Sequence, residues 1–546
     1  MYVPKLFTTM KSYTPEQFRK DAIAGVIVAV IALPLSIALA IASGLSPEKG
    51  LYTAIIGGFL ISFLGGSRVQ IGGPAGAFVV IVYGIVQKFG VEGLIIATFL
   101  SGIFLVLMGL FKFGNLIRYI PTSITNGFSS GIAVIIASTQ LKDFFGLEIR
   151  QVPQEFLEKI LVYGEHLGTF HYESLLIGGV TLAIILLWPK VNKVIPGTLI
   201  AIVVATLLAR VTSMDLPTIG SQFASLKGTL PGITLPSFNL DTLQQLLIPA
   251  LTLAVLGSVE SLLSAVVADG MIGSRHRSNM ELVAQGVGNM GSALFGGMPV
   301  TGAIARTSAN VQNGGRTPIA GMVHSVALLL MMLLLMPLVK LVPMASLAGV
   351  LLMVSYNMGD WEAFRHIPKA PKSDTFVFLT TFFLTVFLDV VVAIGIGVVI
   401  ASVLFMKKMA DLTAVNEVTG DEETSLKEHL HLPEHVSFYE INGPFFFGAA
   451  SKFVATISQR EVKESILIIK MSAVPFMDAT AFDSFDKLLE TCMKKKIKII
   501  LLGLQGQPLS LMEKYGFIPK FGQENFCATT EEAIHRANQV LKEPRR

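Results

Sequence analysis

The sequence predicts an α-helical polytopic membrane protein, with 14 transmembrane segments arranged as a 7+7 inverted repeat, followed by a C-terminal cytosolic α/β domain. Three observations carry that expectation. The 546-residue chain is 52% hydrophobic and only 15% charged, with a mean hydropathy of +0.65, whereas soluble domains are about 25% charged. Charge is also uneven: about a quarter of the residues beyond Ala410 are Asp, Glu, Lys or Arg, against about a tenth before it. Finally, a glycine-rich motif early in the apolar region is echoed late in it.

Apolar stretches between polar breaks place spans near 20–43, 50–64, 75–87, 92–110, 120–140, 172–188, 194–211, 246–267, 279–296, 302–313, 318–338, 343–358, 374–390 and 392–407. Several are too short to cross a bilayer. A helix that stops inside the membrane leaves backbone N–H or C=O groups that only protein or a water-filled cavity can satisfy, so the short segments are where a site is expected.

Arg68, Lys112, Arg118, Lys190, Lys193, Arg275, Arg277, Arg316, Arg365, Lys369 and Lys372 all fall in loops on one side, which the positive-inside rule makes cytoplasmic. The other side carries Lys49, Lys88 and Lys340 and the loop at 141–171, with Asp143, Glu148, Glu155, Glu158 and Glu165. Both termini are then cytoplasmic. The first apolar segment follows a polar stretch and precedes no small-residue cleavage site, so it reads as a retained helix.

The expected organisation is a cytoplasmic N-terminus at 1–19, a membrane domain at 20–410 with repeats at about 20–211 and 246–410, a polar linker at 411–434 holding Asp421, Glu422 and Glu423, and a C-terminal domain at 435–546. In the last, Val436–Ile441, Ile466–Met471 and Ile497–Leu502 are β-branched runs. Helical patterns such as Ala481–Lys494 and Leu509–Lys514 alternate with them, as in an α/β unit.

Several function classes are excluded. A net charge of +4 on a polytopic chain, with no basic strip interleaved with aromatics, gives no nucleic-acid surface. Cys492 and Cys527 are too few for a disulfide framework and fit a reducing cytosol. No set of nucleophile, base and orienting group can be assembled, so the chain does not read as an enzyme, and no cofactor or metal is expected. His429, His431 and His435 have the look of a metal tract but lie in or beside the linker with no Cys among them.

The echo pairs Gly72-Gly73-Pro74-Ala75-Gly76-Ala77 with Gly296-Gly297-Met298-Pro299-Val300-Thr301-Gly302-Ala303. The copies sit seven spans apart, and an odd offset means that they enter from opposite sides of the membrane, as in an inverted repeat with two discontinuous helices meeting near the midplane. Their unpaired N–H groups and positive dipole ends would converge on an anion, and Gly76 and Gly302 would let it approach the backbone. Tight helix packing by small residues is the alternative reading.

Arg306 lies one turn inside the second half-helix, where a buried cation reinforces the positive potential; a snorkelling arginine beside Arg316 is the alternative. Glu260 stands alone in an apolar run, with Ser264 one turn on along the same face. Such a carboxyl can couple H⁺ or, ionised, bind Na⁺; it can also be a structural partner of another helix or of Arg306. His324, inside a span, reads equally as a core hydrogen-bond partner or a proton relay.

Ser67–Ala77, Val267-Ala268-Asp269-Gly270 and Gly302–Thr307 together resemble a bacterial SulP anion transporter, over nearly the whole chain. The resemblance implies a core of spans 1–4 and 8–11, a gate of spans 5–7 and 12–14, elevator-like alternating access, and a cytosolic STAS domain. It implies a substrate site at Pro34, Leu35 and Ser36, at Ala75, Gly76, Ala77 and Phe78, and at Thr301, Gly302, Ala303, Ile304, Ala305 and Arg306, with Glu260 and Ser264 coupling the cation. Leu35 stands where many animal members have Gln, and Ala303 and Ala305 stand where hydroxyls are common, so backbone N–H groups would carry more of the binding.

Val474–Phe482 is similar to the STAS turn that carries a phosphorylatable Ser after its Asp. Here Ala479 follows Asp478, leaving Thr480 as the neighbouring hydroxyl and helix capping as the other role for Asp478.

The function expected is secondary active transport of bicarbonate, a C4-dicarboxylate or sulfate across the inner membrane, coupled to H⁺ or Na⁺ through Glu260. An uncoupled exchanger, a channel-like conductor and a membrane sensor with STAS output are the alternatives. Expected partners are the anion, membrane lipid, a second copy in a homodimer, and a cytosolic protein at the STAS domain.

Overall fold

The computed structural model describes residues 2–115, 121–149, 152–153, 155–192, 195–224, 226, 228–229, 232–233, 240–388, 390–417, 433, 435–446, 448, 450, 453 and 465–543. Arg118, Lys193, the acidic run Asp421–Glu423, His429 and His431 lie outside the described residues. The chain divides into two compact units, Met1–Val398 and Val399–Arg546.

In the first unit α1 is Pro15–Ala42, opened by Thr14 Oγ1 accepting from Gln17 N at 3.2 Å with Pro15 in the first turn. The second span is α2 (Pro47–Tyr52), a π turn at Thr53–Gly57 and α3 (Gly58–Leu64). The strand β1 (Gly72–Gly73) leads through a 3₁₀ turn, Gly76–Phe78, into α4 (Val79–Leu110). Gly90 at φ +69° breaks α4 into the third and fourth spans, a conformation open to glycine.

Then follow α5 (Thr122–Phe145), α6 (Phe156–Glu165), α7 (Tyr172–Leu187), α8 (Gly197–Val211) and α9 (Leu240–Ile272). The unit closes with α10 (Ser278–Leu294), β2 (Thr301–Gly302), α11 (Ile304–Gln312), α12 (Pro318–Val339), α13 (Met344–Met358), α14 (Lys372–Phe387) and the start of α15 (Val390–Leu412). Each of the fourteen expected spans meets one of these helical stretches. Among the longer helices α6 lies outside the expected spans: its ten residues fall inside what reads as a polar loop.

Among the described residues six helices are long and apolar enough to cross a membrane by themselves. In contrast α11, with nine residues, reaches only about 14 Å into a hydrocarbon core about 30 Å thick.

The helices pack in two sets. In one, α1–α4 interleave with α9–α12; in the other, α5, α7 and α8 pack with α13 and α14. Glycines set the closest approaches: a Cβ on Gly102 would stand 2.6 Å from Gly286 O, and one on Gly286 would stand 2.5 Å from Gly102 O, so α4 and α10 touch backbone to backbone. Gly127 does the same for α5 against Phe378 O of α14.

Buried polar groups then tie the two repeats together. Asp21 of α1 accepts from Arg316 N at 2.8 Å and Thr317 Oγ1 at 2.6 Å. Glu281 of α10 accepts from Gly66 N at 2.8 Å and Ser67 N at 2.9 Å. Asn310 donates to Val69 O at 2.8 Å, and within the second repeat Asn289 pairs with both backbone groups of Val300. Each satisfies loop backbone that would otherwise lie unpaired among apolar helices.

The second unit holds a five-stranded sheet in the order β3 (Ala414–Glu417), β4 (Val436–Asn442), β5 (Ile466–Ala473), β6 (Lys498–Leu502), β7 (Phe526–Cys527). Only β3–β4 is antiparallel. The period-two alternation of β5 sends Leu467, Ile469 and Met471 towards α16 (Ala479–Lys494), with its Phe482, Phe485, Leu488 and Leu489. Ile466 and Ile468 face Ala533 and Ala537 of α18 (Thr530–Lys542), which follows α17 (Gly506–Lys514). The central strands are buried on both faces, as a parallel sheet covered by helices requires.

Two strands are additions to the expected three. β3 falls in what reads as linker, because its four residues carry too little pattern to stand out; its register is fixed by pairing Val415 with Ile441. The two residues of β7 pair with Leu501 and Leu502.

Candidate functional site

The two glycine motifs meet. β1 and β2 form an antiparallel two-residue ladder, Gly72 opposite Gly302 and Gly73 opposite Thr301. From it the chain runs into the half-helices, the 3₁₀ turn and α4 after β1 and α11 after β2. The ladder is extended by Ala303 N donating to Ile71 O at 3.1 Å and by Ile71 N donating to Thr307 Oγ1 at 3.1 Å.

Neither half-helix start carries a side-chain cap: the N-cap positions are Ala75 and Ala303. The first intrahelical bond of α11 runs from Thr307 N to Ala303 O, so the N–H groups of Ile304, Ala305 and Arg306 precede it and have no helical acceptor. Ile304 and Ala305 are exposed and Ala303, Gly76 and Leu35 half-buried, whereas Ala75, Ala77, Phe78, Thr301 and Gly302 are buried. The uncapped N–H groups of α11 therefore belong to its accessible turn.

Behind this opening lies Arg306, 1% exposed. Its Nη2 donates to Pro74 O at 2.8 Å, while Nη1 and Nε have no partner. Its electrostatic neighbours are the Glu260 carboxyl and the imidazole of His324. Glu260, half-buried, makes no ion pair with Arg306 within 4.0 Å, and its Oε2 has no hydrogen-bond partner. Both ring nitrogens of the buried His324 are also unpartnered. Polar and charged groups left without a direct partner are costly in a low-dielectric interior.

Ser264 joins the cluster by another route: its hydroxyl donates to Thr307 Oγ1 at 3.4 Å rather than to Glu260. Ser36 is fully buried with an unpartnered Oγ. Pro34, inside α1, lines an apolar groove of about 360 Å³ shared with α8 and α12.

Gln70, which the sequence shows only as part of a motif, turns out to be the counterpart of Arg306 across the ladder. Its Nε2 donates to Ser261 O at 2.8 Å and stands 1.6 Å from where a Cβ on Gly302 would be. A Cβ on Gly76 would meet Met358 Sδ at 3.1 Å and Ile136 Cδ1 at 3.4 Å, so α13 and α5 of the other helix set face this turn. In the second unit Asp478 Oδ1 accepts from Ala481 N at 2.7 Å, capping α16, and Thr480 is exposed beside it. Among the described residues no group of three or more His, Cys, Asp or Glu side chains could hold a metal.

The chain matches the sulfate permease family over residues 18–381. It belongs to that family. Residues 429–533 match the STAS domain. Among its relatives, the putative sulfate transporter YvdB of Bacillus subtilis is 39% identical, over 94% of this chain and 97% of that one. The bicarbonate transporter BicA of Picosynechococcus is 30% identical, over 95% and 94%. Of solved structures, the transmembrane domain of a cyanobacterial BicA aligns with a TM-score of 0.64 at 31% identity, covering 70% of this chain and 98% of that one. The murine anion transporter Slc26a9, in an inward-facing state, aligns at 0.87 over 98% and 94%, and at 19% identity this likeness concerns the fold. Membership makes this sulfate permease homologue a multi-pass membrane anion transporter rather than an enzyme.

Proposed function

We propose that this chain is a secondary active transporter that binds a small oxyanion at the facing starts of α4 and α11 and couples its movement to H⁺ or Na⁺ through Glu260. The observation that carries the reading is the pair of uncapped half-helix starts joined by one ladder, with Arg306 behind them. Free N–H groups and two positive dipole ends replace the hydration of an anion without a fixed countercharge in front of it. Ala75–Phe78 and Thr301–Arg306 form the binding turns, Leu35 and Ser36 stand on the neighbouring α1, and Pro34 shapes that helix from its far side.

Bicarbonate and sulfate are the first substrates to test, since relatives bear those names, and a C4-dicarboxylate is the third. Glu260 has an unpartnered oxygen, the state of a carboxyl free to take a proton or a sodium ion. The set containing the ladder moves as a carrier against the other in an elevator-like cycle, with Gly76 presenting no side chain to Met358 and Ile136 across the seam. Both termini are cytoplasmic, as the Lys/Arg bias of the loops favours, and the assembly is a homodimer in the inner membrane.

The test is uptake of labelled bicarbonate, sulfate and fumarate into proteoliposomes under separately imposed H⁺ and Na⁺ gradients, with Glu260→Gln alongside. Accumulation of one anion under one gradient, lost in the variant, is the expected result. Uphill uptake that persists in Glu260→Gln defeats the coupling role, and gradient-independent equilibration defeats active transport.

A further inference from the structure

A second chamber lies between the two helix sets, lined by none of the half-helix starts Ala75–Phe78 and Thr301–Arg306, at the end of the bundle where α1 terminates. It has a volume of about 140 Å³ and is bounded by Ala38 and Ala42 of α1, Tyr83 of α4, Gln140 of α5 and Leu347 of α13. Lys159 of α6 and Asp143 of α5 supply its charges. Lys159 is 4% exposed, and neither it nor Asp143 forms a hydrogen bond or ion pair among the described residues. Burial with no counterion pulls the Lys159 ammonium below the ordinary lysine range.

A buried, unpaired lysine facing a cavity is costly unless something else in the cavity answers it. The remaining polar atoms show what could. Gln140, 5% exposed, uses one amide hydrogen on Thr139 Oγ1 at 2.8 Å and keeps the second. The Tyr83 hydroxyl has no partner among the described residues. Together with Lys159 these are donors suited to oxyanion oxygens. Asp143 is an acceptor; it would repel an anion without hydrogens, but it can accept from one that carries a hydroxyl.

The space has room for about five waters at ~30 Å³ each, enough for a single-carbon oxyanion. Asp143 also lines an adjoining cavity of about 420 Å³ with Lys142, Glu148, His171 and Asp215, which gives the chamber a polar approach.

We propose that this chamber is a second binding site, for a small oxyanion that also carries a hydroxyl, with bicarbonate as the type. Lys159 and the Gln140 amide hold its charged oxygens, and Asp143 accepts from its O–H. Because α1 and α4 belong to one helix set and α5 and α13 to the other, an ion bound here bridges the seam between them. This site is independent of the one at the half-helices and does not require that the latter take bicarbonate.

The experiment is equilibrium binding of ¹⁴C-bicarbonate to the purified full chain in lipid nanodiscs, in sealed vessels, with ³⁵S-sulfate measured in parallel. Wild type should bind one more bicarbonate per chain than Lys159→Gln, whatever the number held at the half-helices, and Arg306→Gln should keep that extra ion. Sulfate should occupy the chamber at least tenfold more weakly. Equal bicarbonate stoichiometry in wild type and Lys159→Gln overturns the proposal. Lys159→Arg keeps the cation and should keep the ion. Should Lys159→Gln not fold, Asp143→Asn carries the same test: it should erase the preference for bicarbonate over sulfate at this site, and a preference unchanged within twofold overturns the assignment.

Discussion

The guanidinium of Arg306 occupies the space that a side chain on Gly73 would need: its Nη1 lies 1.7 Å from the position of a Cβ there. An arginine one turn inside α11 is thus seated against the first repeat, and the absence of a single methyl group decides where its charge sits.

Gly73→Ala should therefore displace Arg306 without unfolding the chain, because the obstructing atom is the far end of a long side chain. Anion affinity is expected to fall at least tenfold while thermal stability in detergent changes little. Binding calorimetry beside a melting curve separates the two, and unchanged affinity would show that the position of Arg306 does not matter to the anion.

Glu281→Ala should behave in the opposite way. Its carboxylate accepts from Gly66 N, Ser67 N and Gln285 Nε2 at 2.8–2.9 Å, all buried. Removing it strands the two backbone donors, at a cost of about 1–3 kcal/mol each. A clear fall in melting temperature is expected, with the affinity of the surviving folded protein unaltered.

Asp478→Ala removes the α16 cap and should cost about 1 kcal/mol of stability in the second unit. Thr480→Ala, at an exposed position within the helix, should be neutral or slightly stabilising. A measured loss of transport in Thr480→Ala with stability intact would point instead to the hydroxyl as a regulatory group.

Burial pushes the Cys492 thiol up to about 11 and raises Cys527 as well. Both should react with a thiol-directed disulfide reagent far more slowly at pH 8 than a free cysteine does, and fully only after denaturation. The sign for stability follows: the folded state holds the Cys492 proton where the unfolded chain, titrating near 9, has lost it. Stability should decline between about pH 9 and 11, and Cys492→Ala should remove that part of the decline.

Much of the fold was legible because its signals are long. Runs of apolar residues separated by polar breaks mark spans whatever their partners, and the repeated glycine motif gave the inversion through an odd count of spans. What escaped was short or came from far away in the chain. The four residues of β3 show no period, and α6 lies among Glu155, Glu158 and Glu165, which read as loop.

The site divides in the same way. Arg306 and Glu260 stand out as charges in apolar surroundings. Gln70 does not, since its place against Gly302 depends on a residue more than two hundred positions away, and Asp21 and Glu281 resemble ordinary ends of spans until the loops they hold are seen. Lys159 lies within 141–171, a stretch that reads as a polar loop, and is buried in the structure.

The β1–β2 ladder has a genetic consequence. The candidate site is shared between two segments that touch only through non-covalent bonds, so neither half of the gene encodes it alone. Two fragments divided between the repeats, co-expressed, carry every residue of it, and their complementation would restore binding where either fragment by itself is silent.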